Sequence, residues 1–103
     1  MSSYRSFLSK WAGSVPRLTH SNFAAWSNAI KYVLIGTNTW DIVTGVEGAP
    51  QDGGEEYREY YKRSNQTVSI LYGSITPAIQ AYVAGVVDPA EMGSTICKTM
   101  DIV

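Results

Sequence analysis

The sequence predicts an all-α domain, a small bundle of about five helices. Apolar residues recur at three- and four-residue spacing in several segments. No stretch alternates with a period of two for long enough to make a sheet convincing. The helical segments also begin at capping residues and are punctuated by glycine and asparagine. A chain of 103 residues fits one compact domain.

The first segment carries Tyr4, Phe7, Leu8 and Trp11 on one helical stripe, with Arg5 and Lys10 off it. A short amphipathic helix ending before Gly13 is expected. Residues 1–14 therefore read as an N-terminal arm and residues 15–103 as the helical domain. The arm can cover the domain's own core, engage a partner or lie on a membrane. Its short length and weak basic character favour the first over the last.

The stretch VPRLTHSNFAAW is an extended lead-in to the strongest helix. Thr19, Ser21 or Asn22 can cap it. Phe23, Trp26, Ile30, Val33 and Leu34 then share a face, and Gly36 or Asn38 ends it. TWDIVTG is a short turn or helix anchored by Trp40, Ile42 and Val43, and GVEGAPQDGG is a loop by composition.

Asp52-Gly-Gly-Glu55 can cap a third helix running to about Ile75. Glu55, Glu59 and Arg63 form an i, i+4 ladder expected on a solvated face. Tyr57, Tyr60 or Tyr61, Val68, Leu71 and Ile75 line the side expected to be buried, whereas Ser64 to Thr67 leave the middle polar. Thr76-Pro77 restarts a helix through AIQAYVAGVV, with Ile79, Tyr82, Val83 and Val86 inward.

Asp88-Pro89 followed by Glu91 is a strong start for the closing helix. Its expected stripe is Gly93, Ile96, Cys97 and Met100. Glycine at the head of that stripe is anomalous, since it buries no side chain and weakens a helix interior. The core expected from these spacings holds Phe23, Trp26, Ile30, Leu34, Trp40, Leu71 and Ile96.

Composition narrows the function. Net charge is −1 and the eight basic residues are scattered, unlike the clustered patch of a nucleic-acid-binding domain. One cysteine excludes an internal disulfide and points to a reducing, cytoplasmic setting. No apolar run approaches the ~20 residues of a membrane span. The first residues lack a signal-peptide core and the glycine required for myristoylation.

No constellation suggests catalysis. His20 and Cys97 are single examples of their kinds, and nothing else supports pairing them as a nucleophile and base. Glu55, Glu56 and Glu59 read better as a solvated helix start than as a metal site. The glycine loops lack the Lys-Ser/Thr ending of a phosphate-binding loop, and no Cys/His spacing suits zinc. No catalytic, cofactor-binding or metal-binding residue, no enzyme activity and no small-molecule substrate are expected.

LTHSNFAAWSNAIKYVLIGTNTWDIVTG resembles the start of the Gag capsid region of Copia-type long-terminal-repeat retrotransposons. The family's pattern falls on Leu18, Asn22, Phe23 and Trp26, then on Trp40, Asp41, Ile42, Val43 and Gly45. SILYGSITPAIQAYVAGVVDPAEM is similar to the family's next helices. The resemblance runs from about Val15 to the C-terminus, and it rests on several weak motifs in the right order. The family usually has tryptophan where this chain has Gly93, so a void or a shallow groove open to a partner is expected there, the alternative being that the helices have closed over the gap and Gly93 is a close-packing residue.

The resemblance implies part of a Gag capsid N-terminal domain, truncated, as a piece of a longer protein or a short relic. The implied function is structural. Copies would self-associate, alone or with longer Gag proteins, into particles around element RNA, with the RNA bound by regions outside this chain. The alternative is a truncated or domesticated Gag acting as an interaction module that interferes with intact Gag. Candidate self-association residues are Tyr4, Phe7, Leu8 and Trp11 on the arm, with Gly93 and Met100 on the closing helix.

Overall fold

The computed structural model describes residues 15–51 and 53–101. Among them the protein is all-α, with five helices and no strand. Helix α1 spans Phe23–Gly36, α2 Trp40–Val43, α3 Glu55–Gly73, α4 Pro77–Gln80 and α5 Pro89–Asp101. A 3₁₀ turn, Ala81–Val83, extends α4. Helix α5 packs against α2, α3 and the 3₁₀ turn, and α2 also touches α1 and α3.

The lead-in is pinned at Leu18. Its N–H donates to the Ser74 carbonyl at 2.8 Å, and its carbonyl accepts from Thr76 N–H at 3.2 Å. The result is an isolated parallel bridge between Leu18 and Ile75, both fully buried. Asn22 occupies the N-cap position of α1, but its side chain makes no cap hydrogen bond. Its Oδ1 accepts instead from Thr19 N–H at 2.7 Å, and its Nδ2 donates to Arg17 O at 2.9 Å. The residue that looked like a helix cap thus folds the lead-in back on itself.

Helix α1 buries Trp26, Ile30, Val33 and Leu34, while Phe23 packs half-buried against the core. Its end is built by Asn38, not Gly36. Asn38 adopts φ +61°, its N–H donates to Ile35 O, and Thr39 N–H donates to Leu34 O. These two bonds form a Schellman ending that satisfies carbonyls the last turn would leave orphaned. Trp40 begins α2 half-buried, with the Lys31 ammonium 5.4 Å from its ring centroid.

Helix α3 departs most from its sequence reading. It buries Tyr60, Ser64, Thr67, Ile70 and Leu71. The polar middle therefore faces inward at Ser64 and Thr67, and Thr67 satisfies its hydroxyl on the Arg63 carbonyl at 2.7 Å. Tyr57, expected on the buried side, is exposed, and of the alternatives Tyr60 and Tyr61 it is Tyr60 that is buried. The N-cap of α3 is Gly54 without a side-chain bond; Asp52, the expected cap, lies outside the described residues.

The fourth helix is shorter than expected. Its chain turns at Gly85 with φ +84°, and Tyr82 is 58% exposed, so Tyr82 does not point inward. Ile79 and Val83 are the buried anchors.

Helix α5 starts as its sequence implies, with Asp88 Oδ2 accepting Glu91 N–H at 2.9 Å. Its stripe, however, is Met92, Ile96 and Met100, spaced by four. Cys97, expected on the stripe, is exposed. At Gly93 there is no void, and the alternative of a closed, closely packed gap holds. An ideal Cβ at Gly93 would lie 2.9 Å from Val43 Cγ2, so α2 already fills the space beside it.

Candidate functional site

The expected core residues hold the domain together. Trp26, Ile30, Leu34, Leu71 and Ile96 are buried in one cluster, and Phe23 and Trp40 pack half-buried against it. Trp26 also satisfies its polar handle: Nε1–H donates to Ser74 O at 3.0 Å and Ser74 Oγ at 3.2 Å.

Of the expected self-association residues, Tyr4, Phe7, Leu8 and Trp11 lie outside the described residues. Met100 is buried with Met92 and Ile96 in the core cluster, so it is no contact on an outer face. Gly93 is half-buried against Val43 and opens no groove. The described closing helix thus spends both candidates on internal packing.

The residues that form a concave site are different ones. A half-open cleft of about 490 Å³ lies between loop 45–49, helix α3 and the start of α5. Ile42, Tyr60 and Ser64, all buried, contribute to its lining, as do Ala49, Tyr61, Asn65, Val87 and Ala90. Glu47 and Asp88 add two carboxylates, and no lining residue is basic.

Arg63 holds one wall in place. Its Nη1 and Nη2 donate to Glu47 Oε2 and Oε1 at 2.9 and 2.7 Å, a bidentate pair. Its Nε and Nη2 also donate to Asn38 O at 3.1 and 2.7 Å. One side chain on α3 thus ties down both the end of α1 and the loop after α2. Gly45, at φ +83°, turns that loop, and Glu47 N–H donates to Asp41 O at 2.9 Å. The expected solvated ladder is not formed: Glu55 pairs instead with Arg58, and Arg63 leaves the surface row.

The electrostatics follow from this geometry. The hydrogen bonds from Arg63 hold the Glu47 carboxyl below its ordinary pKa, against a smaller opposing effect of burial. The Tyr60 phenol is pushed up, first by burial and then by the nearby Asp88 and Glu47 carboxylates. Tyr60 is 8% exposed and Ser64 4%, and neither hydroxyl has a hydrogen-bond partner among the described residues. No fully buried side-chain oxygen is left unsatisfied there, so both hydroxyls open into the cleft they line. A sequence signal existed in the i, i+4 spacing of Tyr60 and Ser64, but the loop and α5 that complete the cleft are remote in sequence.

The surface around and beyond the cleft carries exposed aromatic rings. Tyr32, Tyr57, Tyr61, Tyr72 and Tyr82 are exposed, with Ile35, Val46 and Val87. Tyr57 and Tyr61 lie with ring centroids 4.7 Å apart, and Tyr60 meets Tyr61 edge-on at 5.2 Å. Among the described residues no group of three or more His, Cys, Asp and Glu could hold a metal ion, and no helix is long and apolar enough to cross a membrane. Comparison with protein-family models, curated proteins and solved structures found no match.

Proposed function

We propose that this domain is a structural, self-associating protein, a capsid-like fragment of a Copia-type Gag. Its copies pack with one another or with longer Gag chains in the cytoplasm, and RNA is bound by other regions. The observation that carries this reading is the outer surface. Five tyrosines and three aliphatic side chains are exposed among the described residues. Tyrosine is enriched at protein interfaces, where its ring is buried and its hydroxyl keeps a polar partner.

The positions carrying the Gag resemblance are compatible with a scaffold role. Leu18 anchors the lead-in, Asn22 folds it back, Trp26 fills the core, and Gly45 turns the loop after α2. Expected contact residues therefore move from Gly93 and Met100 to the exposed tyrosines.

Sedimentation velocity over a concentration series tests this reading. A dimer or larger species at micromolar concentration is expected, weakened when Tyr32, Tyr72 and Tyr82 are changed to serine. A strictly monomeric mass at high concentration, alone and mixed with a longer Gag chain, would overturn it.

A further inference from the structure

We propose that the cleft between loop 45–49, α3 and the start of α5 receives a lysine side chain presented by a partner protein. The lining residues carry two carboxylates and no cation. Arg63, the neighbouring cation, is engaged by Glu47 and Asn38. Tyr60 and Ser64, residues more than nine-tenths buried, add two hydroxyls that open into the cleft without hydrogen-bond partners among the described residues, one helical turn apart. Unpartnered hydroxyls opening into a cleft lined by carboxylates make acceptors for a donor that arrives with positive charge.

The acceptors also choose between cations. Both Glu47 oxygens already receive Arg63, and Asp88 Oδ2 already receives Glu91 N–H. Neither carboxylate offers two free oxygens to the planar fork of a guanidinium. An ammonium is a compact charge with three rotatable donors, and it can take one acceptor from each of several groups. The methylene stem would lie along Ala49, Ala90 and the Tyr61 ring.

The cleft is open along one side, whereas small-molecule sites enclose most of their ligand. A side chain delivered by a larger body needs no such enclosure. Val87, 78% exposed at the rim, offers apolar surface to the residues flanking that lysine.

The test is an NMR titration of the full chain with Ac-Ala-Lys-Ala-NH₂ at low salt, at a protein concentration where sedimentation shows one species. This keeps the result separate from self-association. Shifts confined to Gly45, Gly48, Tyr61, Asn65 and Ala90 are expected. Asp88→Asn keeps a cap acceptor for Glu91 N–H while removing the charge, and it should weaken binding several-fold. Ser64→Ala, a smaller change, should also weaken it. The norleucine and arginine tripeptides and butylammonium should all bind several-fold more weakly.

No shifts with the lysine probe, or binding indifferent to both variants, would overturn the proposal. Equal binding of the norleucine probe would make the cleft merely apolar. Equal binding of the arginine probe would refute the choice of ammonium, and equal binding of butylammonium would refute a protein-borne ligand.

Discussion

The indole N–H of Trp26 donates to the backbone carbonyl of Ser74, 48 residues later in the chain. The same carbonyl accepts the backbone N–H of Leu18. One acceptor thus joins the lead-in, α1 and the end of α3. Trp26 is 3% exposed, so its ring contributes apolar burial as well as this bond. Trp26→Ala should cost about 3–5 kcal/mol, enough to unfold a small domain. Trp26→Phe should cost only about 1–2 kcal/mol, because the Ser74 carbonyl keeps Leu18 as donor and is not orphaned. Chemical denaturation of both variants checks the order, and a cooperatively folded Trp26→Ala variant as stable as wild type would refute it.

At Gly93 the sign of the mutation is set by Val43. Alanine gains up to about 1 kcal/mol of helix propensity. It also places a methyl 2.9 Å from Val43 Cγ2, on a short branched side chain with little freedom to withdraw. Overpacking of this kind costs about 1–3 kcal/mol, so Gly93→Ala should lower the melting temperature by several degrees. Gly93→Trp should lower it further. In a Val43→Ala background the alanine at 93 should become neutral or stabilising. Thermal melts of wild type, Gly93→Trp, the two single alanine variants and the double alanine variant decide the matter, and additive effects in the alanine cycle would show that the two positions do not meet.

The Arg63 clamp makes a pH prediction. Glu47 has its folded pKa depressed, so its contribution to stability is present above its unfolded pKa, near the ordinary value of 4.5. That contribution is lost as pH falls through the lower, folded value. Stability measured from pH 7 down to about 3 should therefore fall more in wild type than in Glu47→Gln. Parallel acid profiles would show that the pair contributes nothing. The effect should be modest, since the Glu47 side chain is 37% exposed.

Net charge −1 and scattered basic residues predict little or no RNA binding by this chain at physiological salt. Fluorescence anisotropy with a labelled single-stranded RNA checks it across a salt series. Tight binding with a steep salt slope would require a basic surface that the sequence does not supply.

Features governed by neighbours in the chain were legible. The face carrying Trp26, Ile30 and Leu34 follows from their spacing, and α5 begins at Asp88-Pro89 because that cap is made within three residues. The end of α1 was narrowed to Gly36 or Asn38, and backbone geometry chose Asn38. Asn22, one of three expected caps, does take the N-cap position, but its side chain bonds Thr19 and Arg17 in the lead-in instead of capping α1.

The sequence by itself determined that the chain is helical, where its main helices start and which side of α1 is buried. These are consequences of periodicity and local capping, whose partners lie within a few residues. Only the tertiary structure decided which polar residues face inward. Ser64 and Thr67 are buried where hydropathy placed a weak, polar stretch, and Arg63 left its i, i+4 row for Glu47 and Asn38. It likewise decided that Gly93 admits Val43 and that Cys97 faces out while Met92 faces in. The physical reason is common to all four. A helix's buried face, and the partner of each polar group on it, are set by which other element lies alongside, and α2 and loop 45–49 reach α3 and α5 from far along the chain.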